Sequence, residues 1–396
     1  MAVVSAPYSP AASRASIFGL DWPLLLLTLF LAVWGVFTIL SATRPAPQMQ
    51  VSRIAPTITR NAPVENSKIP DGTKQIVFVV IGLAAMMAMA FIDYRWLMHL
   101  QGWIYAANLA CLLLVLILPR SIAPTINGAK SWIVLGPISL QMAEFSKVAM
   151  LLSLSAFLTR KQEKIGEMKT VLISLLYLAP PLLLILKQPD FGTMLATISI
   201  WFGMLFFGGA KLKHLGLVLL VGVALFAGAW KQGILKPHQT ARLASFLHPD
   251  EALEAGGYQL NQSLIAIGGG QITGQGYGEG MQNQANYVPE NQTDFIFTVV
   301  AEELGFVGGA ILIAAYLGVL FRTASLAGVT ENYFGVLLCG GFTSLLAFHC
   351  IINLGMTMRV MPITGVPLPL FSYGGSSFLA FALGFGLLQS VSAHRR

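Results

Sequence analysis

Long apolar runs alternate with short polar segments along most of this chain. A bilayer core takes roughly 20 apolar residues per helical span, and runs of about that length fall at 22–42, 75–92, 102–119, 141–158, 170–188, 191–209, 213–230, 295–321, 333–355 and 376–392. The pattern predicts an all-α, polytopic membrane protein with about ten transmembrane helices, forming one integral membrane domain over residues 1–396. The first run, Trp22 to Ala42, is too long for a signal-peptide core and only Arg14 precedes it, so it reads as a retained span. Pro180 and Pro181 predict a kink in the fifth span, because neither residue donates to the helix ladder.

Composition agrees with the pattern. Charged residues make up 10% of the chain, whereas a soluble domain carries roughly 25%, so there is too little charge to cover a water-facing surface. The three cysteines, Cys111, Cys339 and Cys350, each sit in an apolar run and read as small buried hydrophobes, with no disulfide or thiolate metal site expected. The net charge of +7 is scattered between apolar stretches. It forms no basic stripe with interleaved aromatics, so membrane lipids rather than nucleic acid are the expected anionic partner.

The distribution of Lys and Arg sets the expected orientation. With the N-terminus inside, eleven fall on the cytoplasmic side and five outside once two long outer segments, 43–74 and 231–293, are set aside. Both termini are therefore expected in the cytoplasm. Residues 43–73, rich in Pro, Ser, Thr and Asn, read as a flexible outer loop without a core. Residues 231–293 mix apolar, glycine-rich and Gln/Asn-rich stretches, and a loop of that length is expected to be functional and to border a site.

Ionisable residues in or beside membrane spans are costly and mark functional candidates. Four such clusters share the expected outer side. Asn127 to Trp132 is followed by Gln141, Glu144 and Lys147, whose spacing of three aligns them on one helix face where Glu144 and Lys147 can pair. Lys187 to Thr193 places Asp190 before an apolar helix, as an N-cap would stand. Pro289 to Phe297 contains Asp294 and is followed by Glu302 and Glu303, expected roughly 12 to 14 Å deeper along a continuous helix. One of these two acids at most should share the cavity of Asp294, the other anchoring a neighbouring loop through backbone N–H groups. Arg359 to Ser377 packs Pro362, Pro367 and Pro369 with glycines and serines into a re-entrant turn, which membranes tolerate only beside protein or a cavity. The glycine-rich run Gly274 to Gly280 lacks the preceding strand that a dinucleotide site needs, and the six histidines form no zinc-like set.

Five ordered motifs carry a family resemblance: Asn-Gly-Ala-x-x-Trp at 127–132, Lys-Gln-Pro-Asp-Phe-Gly-Thr at 187–193, Gly-Tyr-Gln-x-x-Gln-Ser at 257–263, Pro-Glu-x-x-Thr-Asp-Phe-Ile-Phe at 289–297 and Pro-Leu-Pro-x-x-Ser-Tyr-Gly-Gly-Ser-Ser at 367–377. Together the motifs resemble the SEDS proteins (shape, elongation, division and sporulation), peptidoglycan glycosyltransferases of the cytoplasmic membrane. The run at 362–369 is more similar to the elongation branch, RodA, than to FtsW, which usually carries Lys where this chain has Thr364. The chain departs from the pattern at Met142-Ala143, where Pro-Ser is frequent, at His349, where Gln is usual, and in its long 43–73 loop.

The resemblance implies polymerisation of lipid II into β-1,4 glycan strands on the outer face of the inner membrane during cell elongation. Inversion at an α-linked sugar pyrophosphate needs an attacking hydroxyl, a base within reach of it and countercharge for the leaving group. Asp294 is the expected base, with ligation of Mg2+ or Mn2+ as its competing role. Lys147, oriented by Glu144, and Lys130 and Arg242 are the expected cations. Trp132, Asp190, Gln259, Gln262, Glu303, Ser372 and Ser376 complete the expected substrate-binding set. A class B penicillin-binding protein transpeptidase and the elongation machinery are the implied partners. Two rival readings are a lipid II flippase, which needs polar residues through the full membrane thickness, and a noncatalytic scaffold that activates a partner synthase.

Overall fold

The computed structural model describes residues 19–44, 70–125, 129–135, 138–232 and 256–394. Seven of its helices are long and apolar enough to cross a bilayer, and three shorter apolar helices accompany them. In chain order the helices are α1 (Trp22–Ala42), α2 (Asp71–Phe91), α3 (Tyr94–His99), α4 (Gln101–Ile117), α5 (Met142–Thr159), α6 (Met168–Lys187), α7 (Phe191–Phe207), α8 (Leu212–Lys231), α9 (Gly256–Gly269), α10 (Met281–Gln284), α11 (Ile296–Val329), α12 (Tyr333–Thr357) and α13 (Gly375–Ala393). A polytopic, predominantly helical membrane protein is what the apolar runs predict. α6 continues through Pro180 and Pro181.

Burial sorts the helices into centre and rim. Helices α5, α12 and α13 are the most enclosed of the spans, and α13 packs chiefly against α2 and α5. α8 lies at the edge, touching mainly α7 and exposing Leu217, Leu220, Leu225 and Phe226. In water such a face would be costly, whereas lipid tails are as apolar as leucine.

Two features depart from the expected spans. Trp132–Leu135 (β1) and Ile138–Gln141 (β2) form an antiparallel hairpin, with Trp132 opposite Gln141, that runs directly into α5. The second is a break inside α11 at Gly305, whose φ of 64° and ψ of −162° only glycine adopts readily. A Cβ there would stand 2.4 Å from the Gly274 nitrogen. Backbone bonds from Phe306 to Gln271 and from Val307 to Ile272 close the loop onto the break.

The break corrects the expected depth of Glu302 and Glu303. Ser41, at one end of α1, donates to Glu303 at 2.6 Å, while Asp21, at the other end, pairs with Arg322 at 2.9 Å. The stretch 306–329 therefore crosses antiparallel to α1, and Gly305 lies level with the α1 end that carries Ser41. Both glutamates sit at that rim rather than a dozen ångströms inside. The expected span at 295–321 is thus a short arm, 296–304, followed by the crossing helix.

Candidate functional site

All four sequence clusters meet at one cavity of about 290 Å3. The hairpin contributes Ala129, Ser131, Trp132 and Gln141; the α6–α7 turn contributes Pro189 to Gly192; the segment before α11 contributes Glu290, Thr293 and Asp294; the re-entrant turn contributes Thr364, Gly365, Pro367, Tyr373, Gly374 and Ser377. Residues more than 200 positions apart converge here because the helices that carry them all end at the same face.

Local chemistry fixes each wall. Asp190 caps α7, accepting from the Thr193 backbone N–H and hydroxyl at 3.0 Å each, and accepts from the Gln141 amide at 2.8 Å. The cap satisfies an otherwise orphaned helix donor while holding the end of β2 against α7. The Gln141 backbone N–H donates to Ser376 Oγ at 2.9 Å, and Ser376 Oγ donates to the Ser139 carbonyl at 3.3 Å, so the hairpin is tied to the start of α13. Ser372 Oγ accepts from the Leu368 N–H at 2.8 Å and closes the re-entrant turn on itself. Tyr373 N–H donates to the Gln292 carbonyl at 2.8 Å, and its hydroxyl donates to Asp71 at 3.2 Å, anchoring the turn to two further segments.

Asp294 is half-buried on the wall. Its carboxylate passes close to Gly365, whose φ of 71° suits glycine and where an added Cβ would lie 3.4 Å from Oδ2. The side-chain amide of Asn353 donates to the Asp294 carbonyl at 2.9 Å. Among the described residues that line the cavity, Asp190, Glu290 and Asp294 are the charged ones.

Two of the expected cations, Lys147 and Lys130, stand away from the cavity. Lys147 is fully buried, two turns below Gln141, with Nζ 2.8 Å from Glu144 and 3.2 Å from His349 Nε2 and lying over the Phe381 ring. An ammonium offers only donors, so His349 Nε2 accepts and its Nδ1–H donates to the Pro367 carbonyl at 2.9 Å. Lys147 and Glu144 thus brace the re-entrant turn from beneath instead of lining the cavity. Lys130 donates to the Leu116 and Leu118 carbonyls at 2.9 and 2.6 Å, where its charge complements the C-terminal end of α4. Arg242 lies outside the described residues, as does the Asn127-Gly128 part of the 127–132 motif.

Gln259 and Gln262 lie on α9, outside the cavity walls; Gln259 donates to the Pro289 carbonyl at 2.8 Å and so supports the segment leading to Asp294. Glu302 accepts from the Gln282 and Asn283 backbone N–H groups at 2.7 and 3.1 Å. Glu303 bonds Ser41 and lines a separate groove of about 300 Å3 with Trp34, Phe37 and Tyr277. Glu302 therefore holds the short helix α10 through backbone N–H groups and Glu303 holds the end of α1, and neither lines the cavity of Asp294. Sequence reasoning left out Ser131, Glu290, Thr293, Thr364 and Ser377 from the site. Each lies within or beside a quoted motif; the charge of Glu290 is a signal that could have found it, whereas the small hydroxyl residues carry none of their own.

Among the described residues no group of three His, Cys, Asp or Glu side chains could by itself hold a metal ion. Mg2+, however, is usually bound by one or two carboxylates together with substrate phosphates. Asp294 and Glu290 fit that smaller donor set.

Fold and cavity together define a multi-pass membrane protein with a cavity lined by Asp190, Glu290 and Asp294. The family model for FtsW, RodA and SpoVE, described as cell cycle protein, matches residues 24–396, and the chain belongs to that family, the SEDS proteins. It is 34% identical over 326 residues to stage V sporulation protein E of Bacillus subtilis, covering 82% of this chain and 87% of that one. To the peptidoglycan glycosyltransferase MrdB of Escherichia coli it is 33% identical over 323 residues, covering 82% and 86%. A chain of a solved peptidoglycan synthase complex superposes with a TM-score of 0.74 at 31% identity, covering 95% of this chain and 98% of that chain. The rod shape determining protein RodA of Thermus thermophilus superposes with a TM-score of 0.66 at 28% identity, covering 95% and 97%.

Proposed function

We propose that the chain is an inverting peptidoglycan glycosyltransferase that polymerises lipid II, with Asp294 as its base. The observation that carries this reading is the convergence of four distant polar clusters on one cavity whose wall includes Asp294. Asp294 takes the proton of the acceptor sugar hydroxyl as that oxygen attacks the anomeric carbon. The bond from that carbon to the pyrophosphate breaks on the opposite side, which turns the α linkage into β. Gln141, Ser131, Thr364 and Ser377 supply hydrogen-bonding groups for the sugars, and Trp132 offers an aromatic face.

A pyrophosphate entering a wall of carboxylates needs countercharge. In the competing role of Asp294, as a ligand with Glu290 instead of the base, Mg2+ or Mn2+ held there would supply it, neutralising the leaving group where it develops charge; Arg242 is the protein's own alternative. The orientation that places both termini in the cytoplasm turns the cavity outward, where lipid II is polymerised. A class B penicillin-binding protein is the proposed partner, and Thr364 on the cavity wall favours the elongation role.

A flippase path is disfavoured by the packing beneath the cavity, where Glu144, Lys147, His349 and Phe381 fill the interior. The test is incubation of the purified chain with lipid II and a partner whose own active-site serine is replaced. Glycan polymer is the expected product. Headgroup translocation in vesicles without polymer would overturn the reading.

A further inference from the structure

We propose that Asn353 is the positioning residue of this site, a role that rests on the glycosyltransferase reading above. Asn353 is fully buried near the end of α12, one helical turn beyond His349. Its Nδ2 donates twice, to the Asp294 carbonyl at 2.9 Å and to the Val366 carbonyl at 2.8 Å. Both partners are carbonyl oxygens, which only accept, so chemistry fixes the orientation of the amide and uses both of its protons. A single side chain therefore registers the segment that carries Asp294 against the re-entrant turn beside it.

The arrangement continues through His349. Residues 349 and 353 share one face of α12 and grip successive carbonyls of the turn, Pro367 and Val366, while Lys147 ties His349 to α5. Of these groups only Asn353 also reaches the Asp294 backbone. Asparagine suits this point because the isosteric aspartate would set oxygen against two carbonyls, and leucine would remove the Asn353 donor from both. Asn353 touches no reacting atom, so its effect is on the placement of the base, to which rate is steeply sensitive.

The experiment compares wild type, Asn353→Leu, Asn353→Gln and Asp294→Asn, each purified with the serine-replaced partner. Lipid II binding and polymerisation are measured separately. For Asn353→Leu the expected result is a kcat lower by roughly ten- to a hundredfold, with lipid II affinity retained. Partial recovery of kcat is expected in Asn353→Gln, which keeps the amide. Wild-type kcat in Asn353→Leu, or equal losses of binding and kcat, would overturn the assignment. Should the leucine variant not fold, Asn353→Gln decides: reduced kcat with retained binding supports the role, and full kcat overturns it. Asp294→Asn separates the two claims. If it polymerises normally the reading of the site fails, whereas an inactive Asp294→Asn beside a fully active Asn353→Leu overturns only the positioning role.

Discussion

Replacing Lys147 by alanine leaves the Glu144 carboxylate buried without its counterion. The two groups are 2.8 Å apart with side chains 1% and 5% exposed, and at an effective dielectric of about 20 the attraction lost is about 6 kcal/mol. Desolvation offsets part of that in the native pair, and removing one partner of a buried pair typically costs about 3–5 kcal/mol. Glu144 has no rescue at hand, because its second oxygen has no hydrogen-bond partner among the described residues. Loss of the ammonium also frees His349, and with it the Pro367 carbonyl on the cavity wall. Lys147→Ala should therefore lower both unfolding stability in detergent and polymerisation rate. Lys169→Ala, on an exposed position, should change stability by no more than about 0.5 kcal/mol. The double variant Glu144→Gln with Lys147→Met removes both charges and should recover most of the loss in stability, a non-additivity that a double-mutant cycle reads directly. Equal stability of the Lys147 and Lys169 variants, or a double variant no better than Lys147→Ala, would refute the reasoning.

Three further outcomes follow from particular contacts. Gly305→Ala should destabilise by more than about 2 kcal/mol, because it adds a left-handed backbone penalty to a collision with the 272–274 loop; limited proteolysis would read this as faster cleavage in that loop. Asp190→Ala removes the α7 cap and the bond to Gln141, and should cost about 0.5–2 kcal/mol in denaturant unfolding together with lower activity. Arg322→Ala, at the end of α1 away from the cavity, removes the two bonds from the Arg322 guanidinium to the buried Asp21 and should cost about 1–3 kcal/mol while kcat of the folded fraction stays unchanged.

The spans were legible because a bilayer demands long apolar runs, and nothing in a soluble core demands that of a sequence. The hairpin at 132–141 falls between the expected runs 102–119 and 141–158, and its two four-residue strands are too short to stand out as elements. Gly305 looked like any helix-interior glycine. Its role depends on a loop thirty residues earlier that bonds to the broken turn. Four of the five motifs contribute walls of the cavity, while the one at 257–263 does not, and side-chain destinations were hidden. Lys147, Glu144 and Lys130 were expected at the substrate because charge in a membrane suggests function, whereas burial and helix termini consume those charges. Asn353 carried no signal at all, being one polar residue in an apolar run whose partners lie on two other segments.

The central claim is that Asp294 carries the chemistry. Its most direct test is lipid II polymerisation by wild type and Asp294→Asn, a near-isosteric change that removes the carboxylate, each with and without Mg2+ or Mn2+. The account predicts polymer from wild type and none from a folded Asp294→Asn; metal dependence of the wild type then separates ligand from base. Polymer from Asp294→Asn at the wild-type rate would contradict it and move the chemistry to another residue.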